Sequence, residues 1–212
     1  MWKKEYEDEI QQMLLQINPD YRGKIKRGFF FGQMPSKPSR FYMRDALAWL
    51  QVNVGEHRRL LDYGCGVGTF MAYLWMHGFK NLTGADITES DLDTAALILK
   101  HFKVLPNHLM HVQPEQIYEL PQHYDCIFMF DYLYGRAFNL DHIIHSAFAA
   151  LAPGGVLMFD LFDYEETPNP GRQYFDVSEV AAKVKDMFNV VQTTTHRRGN
   201  SKTMYILRRV PQ

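Results

Sequence analysis

What this chain lacks narrows its class first. Cysteine is nearly absent, with only Cys65 and Cys126 in 212 residues. Two cysteines supply neither a disulfide framework nor a structural zinc site, and they make the cytoplasm the expected compartment. No stretch approaches the roughly 18 consecutive apolar residues of a membrane-spanning helix. The opening Met1-Trp2-Lys3-Lys4-Glu5-Tyr6-Glu7-Asp8-Glu9 lacks the apolar run of a signal peptide. Neither sign of charge dominates. A formal net charge of −1 argues against a protein that coats nucleic acid by bulk charge. Repeats and low-complexity tracts are missing too. The remainder is 46% hydrophobic and 22% charged, the balance of an ordinary globular chain long enough for one sizeable core.

What is present begins with a helical pattern over 1–17, where Ile10, Met13, Leu14 and Ile17 recur at helical spacing and Asn18-Pro19 stops the run. Such a helix is expected to pack on the main domain. The next segment, 21–44, carries Arg22, Lys24, Lys26, Arg27, Lys37, Arg40 and Arg44 without a single acid, interleaved with Tyr21, Phe29, Phe30, Phe31, Phe41 and Tyr42. Basic groups among aromatics suit an anionic small molecule or stacked nucleic-acid bases. They equally suit a solvated basic loop whose phenylalanines are buried. Ser39 reads as the N-cap of a helix that buries Ala46, Leu47 and Leu50 and ends near Gly55.

From residue 58 strand and helix signals alternate. Strands are predicted at 58–63, 81–86, 108–112, 124–131 and 156–161, the last entered through a Pro153-Gly154-Gly155 turn. Helices are predicted at 68–77, after a Thr88 or Ser90 cap, at 139–151, and at 179–188 behind a Ser178 cap. Alternation of this kind builds a parallel sheet with helices on both faces. Two further strand runs, 188–195 and 203–210, are joined by so short a link that they should be antiparallel neighbours. The expected fold is therefore α/β, a three-layer sandwich on a seven-stranded, mostly parallel sheet with an antiparallel terminal hairpin strand. Residues 1–55 form an N-terminal helical extension or lid, and 56–212 the main domain.

The chemistry centres on Leu60-Leu61-Asp62-Tyr63-Gly64-Cys65-Gly66-Val67-Gly68-Thr69. A strand runs into alternate glycines and then into a helix. Glycines let a ligand approach bare backbone, and the opening N–H groups of the helix suit a polar or anionic group. A dinucleotide site would need Gly-x-Gly-x-x-Gly and an acid about 20 residues on. Asp86 satisfies the second requirement, but Gly68 comes one position early and Thr69 stands where glycine is wanted.

The glycine segment instead resembles the first motif of class I S-adenosylmethionine-dependent methyltransferases. Leu82-Thr83-Gly84-Ala85-Asp86-Ile87 resembles that family's second-strand motif. Phe148-Ala149-Ala150-Leu151-Ala152-Pro153-Gly154-Gly155-Val156-Leu157 resembles its leucine–x–proline–glycine–glycine entry to strand five. The resemblance covers about 56–210. It implies that S-adenosylmethionine is the cofactor and S-adenosylhomocysteine the product. It also implies that Asp62, Gly64, Cys65 and Gly66 meet the methionine part, Asp86 the ribose hydroxyls and Ile87 the adenine face. Gln116 and Ile117 stand where the family reads the adenine edge, with Gln in place of the usual acid. Phe130 and Asp131 end strand four, where the family's backbone meets the methionine group, and Arg40 or Arg44 could pair with the cofactor carboxylate.

The acceptor is expected beyond strands four and five. Tyr134 and Asp160 are the candidates there for an acceptor-orienting group or base. Asp131-Tyr132-Leu133-Tyr134 lacks both prolines of the Asn/Asp-Pro-Pro-Tyr/Phe motif, so methylation of an amide or base nitrogen is not inferred. His142 and His145 read as helix surface, and no metal is expected. A small molecule such as a natural product, sugar or metabolite is the expected acceptor, with no membrane and no nucleic acid as partner. The alternative is an RNA- or protein-directed enzyme using 21–44.

Overall fold

Asp86 and Asp125, each at the end of a strand, show how this chain ties its elements together. The computed structural model describes residues 3–17, 40–106, 108–113, 123–131, 139–163, 173–196 and 201–211. In chain order the elements are α1 (Lys4–Ile17), α2 (Phe41–Asn53), β1 (Leu60–Tyr63), α3 (Thr69–Met76), β2 (Leu82–Asp86), α4 (Glu89–His101), β3 (His108–His111), β4 (Tyr124–Met129), α5 (Leu140–Ala150), β5 (Leu151–Phe162), α6 (Val177–Val184), β6 (Phe188–His196) and β7 (Lys202–Arg209). The sheet has seven strands in the order β3-β2-β1-β4-β5-β7-β6. Among the described residues no helix is long and apolar enough to cross a membrane. The chain divides into two compact units, one of Met1–His57 with Cys65–His111, the other of Arg58–Gly64 with Val112–Gln212.

In the first unit β2 and β3 pair in parallel, from Thr83 opposite His108 to Asp86 opposite His111. Helix α1 docks as its periodicity predicts. Ile10 and Leu14 are fully buried and cluster with Val67 and Ile98, flanked by Met13 and Phe102. The Tyr6 ring meets Phe102 edge-on, with centroids 5.7 Å apart. Val67 belongs to the glycine segment, so this helix packs on that segment. Helix α2 buries Ala46, Leu47 and Leu50 as expected, and adds Phe41, Tyr42, Met43 and Trp49. Arg40 occupies its N-cap position, while the expected cap Ser39 lies outside the described residues. Thr88 is the N-cap of α4, yet its hydroxyl makes no cap bond. Asp86 instead braces the cap residue: its Oδ1 accepts the Thr88 N–H at 2.9 Å.

In the second unit β1 and β4 pair in parallel, Leu60 opposite Cys126 to Asp62 opposite Phe128. The Asp125 carboxylate accepts the Arg59 N–H at 2.8 Å, pinning the start of β1 to its neighbour. Strands β4 and β5 are also parallel, and β7 runs antiparallel to both β5 and β6. The closing pair is thus antiparallel as predicted, with β7 lying inside and β6 at the edge. Strand β5 starts five residues earlier than the sequence pattern indicates. Leu151 already pairs with Tyr124 and Val156 with Cys126. Three residues of β4 face six of β5 there, so Pro153-Gly154-Gly155 forms an irregular bulge inside the strand and not a turn before it.

Helix α6 also differs at its start. Its cap is Asp176, which accepts the Glu179 N–H at 2.8 Å while Glu179 Oε2 accepts the Asp176 N–H at 3.0 Å. This is a capping box. Ser178, the expected cap, instead donates its hydroxyl to Asp176 Oδ1 at 2.6 Å. That hydroxyl, and then the Glu179 N–H, hold the Asp176 carboxyl below its ordinary range. A depressed folded pKa contributes stability that is present above the unfolded pKa and lost as pH falls through the folded one. Asp176→Ala is therefore expected to melt below wild type at neutral pH. The gap should narrow in melts recorded as pH falls through the carboxylate range; a gap independent of pH would contradict the cap.

Candidate cofactor loop and acidic strand ends

In the first unit the glycine segment is held by backbone. Cys65 donates its N–H to the Ala85 carbonyl at 3.0 Å and Gly68 donates to the Cys65 carbonyl at 2.9 Å, closing a tight turn. Gly66 and Gly68 have φ of +50° and +76°, where side chains are strained. Their surroundings differ. A Cβ on Gly68 would meet Ala95 and Leu99 of α4 at 3.2 and 3.3 Å, whereas a Cβ on Gly66 would meet nothing within 4 Å. Gly68 therefore serves helix packing, and Gly66 presents bare backbone to open space.

The Gly66 N–H is given to Asp86 Oδ2 at 2.8 Å. With Thr88 on the other oxygen, one buried carboxylate joins the loop, the end of β2 and the start of α4. An ionised carboxylate has about four acceptor sites, so two remain after these bonds. Ile87, next in the chain, is 37% exposed, an apolar side chain facing water beside a buried acid. Cys65 is a buried thiol. Arg40 donates to the Tyr42 hydroxyl and lies over that ring, 5.5 Å from its centroid.

In the second unit the candidates gather at one edge, the C-terminal ends of the parallel strands. Asp62, in β1, is buried, and Gly64 follows the strand with φ +88°. Phe130 leaves β4 buried, its ring 5.9 Å from Phe128. Asp131 has φ +54°, uncommon outside glycine, although aspartate is among the residues that enter this region most readily. Its N–H is donated to Asp160 Oδ1 at 2.7 Å. Asp160, in β5, is buried, and its Oδ2 receives Lys202 Nζ at 2.8 Å. Lys202 also reaches Asp131 Oδ1 at 2.5 Å. The expected acceptor candidate Asp160 thus sits inside a closed set of three residues. Lys202, the member that sequence reasoning missed, opens a strand whose next five residues are all buried. A lone cation at the head of an apolar strand was the available signal.

Three candidates are not placed. Gln116, Ile117 and Tyr134 lie outside the described residues. The Tyr63 hydroxyl donates to the Gln113 carbonyl at 2.9 Å. His145 Nδ1 lies 2.6 Å from the Asp141 carbonyl, one turn back on α5. Among the described residues no three His, Cys, Asp or Glu side chains are grouped to hold a metal. Burial, and then Asp125, push the Cys126 thiol well above its ordinary pKa, so it stays protonated.

A family model described as a methyltransferase domain matches residues 26–190. An S-adenosyl-L-methionine-dependent Diels-Alderase of Talaromyces variabilis is 31% identical over 58% of this chain and 41% of its own length. A tRNA U34 carboxymethyltransferase of Shewanella putrefaciens is 30% identical over 50% of this chain and 31% of its own. The chain spans between a quarter and two-fifths of the length of the curated relatives it matches. Among solved structures, magnesium protoporphyrin IX methyltransferase from Synechocystis PCC 6803, with bound S-adenosylhomocysteine, superposes with a TM-score of 0.67 at 17% identity, over 79% of this chain and 81% of that one. That likeness shows the fold, a Rossmann-like α/β sheet with helices on both sides.

Proposed function

Because this chain belongs to the class I S-adenosylmethionine-dependent methyltransferases, we propose that it moves the methyl group of that cofactor to a small-molecule acceptor. The observation that carries the proposal is Asp86. It is buried, bonded to the glycine loop, keeps acceptor capacity for a ribose diol, and is followed by an exposed Ile87 suited to an adenine face. Gly66 leaves open backbone for the methionine part. Asp62, Gly64, Cys65, Phe130 and Asp131 are assigned to that same end of the cofactor, Gln116 and Ile117 to the adenine edge, and Arg40 to the carboxylate.

Bound S-adenosylmethionine supplies an electrophilic methyl on a sulfonium, taken by an acceptor lone pair in line with the breaking carbon–sulfur bond. Such a displacement asks the protein mainly for positioning and exclusion of water. The chain's own contribution is therefore rigidity: a loop fixed by Asp86 and a β4 exit fixed by Asp160 and Lys202. Asp160 acts in this reading as a holder of that exit, and Tyr134 remains the candidate for meeting the acceptor.

An RNA acceptor is the second reading, favoured by the tRNA-modifying relative and by the basic composition of 21–44. One set of titrations separates the readings. Calorimetry with S-adenosylhomocysteine is expected to show binding, and its absence would sink both. Transfer RNA titrated at rising salt is expected to show no strong, steeply salt-dependent binding; a steep slope removed by charge reversal at Lys24, Lys26 and Arg27 would select RNA.

A further inference from the structure

We infer that Lys202 is a positioning residue for the cofactor-facing exit of β4, acting through the backbone of Asp131; this rests on the function proposed above. Three observations carry it.

The first is conformational. Asp131 is one of two described non-glycine residues with positive φ, at +54°. Aspartate enters that region more readily than most L-residues, but still at a cost that local hydrogen bonds offset. The surroundings here are specific. The Asp131 N–H is fixed on Asp160 Oδ1 at 2.7 Å, and its carboxylate is fixed on Lys202 Nζ at 2.5 Å. Lys202 is in turn fixed on Asp160 Oδ2 at 2.8 Å. Backbone, carboxylate and ammonium close a ring of charge-assisted bonds that hold residue 131 in this conformation.

The second observation is burial. Lys202 and Asp160 have side-chain exposures of 10% and 1%, and Asp131 has 23%. Burying such charges is costly unless they are paired and hydrogen-bonded, and this geometry meets that condition. Lys202 Nζ also stands 5.3 Å from the Phe162 ring centroid, its neighbour across β5 and β7. Apolar residues at all three positions would avoid the desolvation cost, so stability alone does not call for this charged set.

The third is topology. Lys202 opens β7, which runs antiparallel to β5, with Phe162 opposite Lys202 and Asp160 opposite Met204. That reversal is what brings the first residue of β7 to the C-terminal ends of β4 and β5. In open α/β sheets, ligands bind outside those ends. The lysine thus sits where it can fix the Asp131 backbone at the C-terminal end of β4. In this role Lys202 touches neither cofactor nor acceptor; it keeps the Phe130–Asp131 backbone presented.

The test is calorimetric titration with S-adenosylhomocysteine beside thermal melting, on the full chain. Wild type is expected to bind. Lys202→Met is expected to bind at least tenfold more weakly at a temperature well below its melting transition. A purely structural lysine would lower the melting temperature and leave affinity in the folded protein unmoved. If wild type binds and Lys202→Met binds within twofold of it, the inference is overturned. If wild type does not bind, the proposed function fails first, and the inference with it. Should Lys202→Met not fold, Asp131→Ala and Asp131→Gly decide. Both lose the carboxylate, but only glycine accepts φ near +54° without strain. Asp131→Ala is expected to bind at least fivefold more weakly than Asp131→Gly; equal affinities would overturn the role of the backbone conformation.

Discussion

Asp86→Ala is expected to weaken S-adenosylhomocysteine binding by roughly 5- to 150-fold. The range follows from about 1–3 kcal/mol for removing a charged hydrogen-bond partner from a buried site, at 1.4 kcal/mol per tenfold. Two losses add. The ribose hydroxyls lose their acceptor, and the Gly66 N–H loses the oxygen 2.8 Å away that fixes the loop. Asp86→Asn distinguishes this carboxylate from a simple helix cap. Asparagine retains one acceptor oxygen, enough for the Thr88 N–H that starts α4. Its amide NH2 would then face the Gly66 N–H, donor against donor. The expectation is an Asn variant that melts near wild type yet loses most of the affinity that Ala loses. Calorimetry with S-adenosylhomocysteine and thermal melts read both arms. Wild-type affinity in either variant would remove Asp86 from the cofactor site.

The parts of this fold that were legible in the sequence are those set by local pattern. Strand–helix alternation predicted the parallel pairs, and the short link between β6 and β7 predicted their antiparallel pairing. The apolar spacing in 1–17 predicted a docked helix. The glycine segment and Asp86 were legible for the same reason, since a tight turn and a strand-end acid are defined within about 25 residues. What local pattern hides is competition between neighbours for one role. Asp176 takes the α6 cap from Ser178 because its carboxylate reaches the Glu179 N–H, completing a reciprocal box. Pro153-Gly154-Gly155 reads as a turn because both residue types break strands, yet it is carried as a bulge inside β5. Lys202 was hidden for a different reason. It meets Asp160, 42 residues away, and Asp131, 71 residues away. Only the insertion of β7 beside β5 brings them together, and no spacing in the chain records that.

Gly84→Val is expected to lower the melting temperature by several degrees and to weaken cofactor binding, although Gly84 touches no cofactor in the reading above. Gly84 lies in the middle of β2, where glycine is otherwise a poor choice. A glycine inside a strand costs roughly 0.5–1 kcal/mol relative to alanine. The reason for it is crowding. A Cβ at this position would stand 2.6 Å from Met71 Sδ, 2.9 Å from Leu109 Cδ2 and 3.0 Å from Cys65 Sγ. Helix α3, strand β3 and the cofactor loop therefore converge on one missing side chain. The two opposing terms decide the outcome by size. For alanine the gain in strand preference is about as large as the cost of shifting the flexible ends of Met71 and Leu109, so Gly84→Ala should change stability by less than about 1 kcal/mol. Valine adds two more methyls to a filled space, and overpacking of that kind costs about 1–3 kcal/mol. At roughly 2–4 °C per kcal/mol for a chain of this size, the expected fall is about 2–12 °C. The same methyls push on Cys65, whose N–H holds the loop to the Ala85 carbonyl at 3.0 Å. Displacing that residue moves Gly66, and with it the open backbone proposed to receive the methionine part. A melt and a titration with S-adenosylhomocysteine on both variants test the argument, and a Gly84→Val protein as stable as wild type would overturn it.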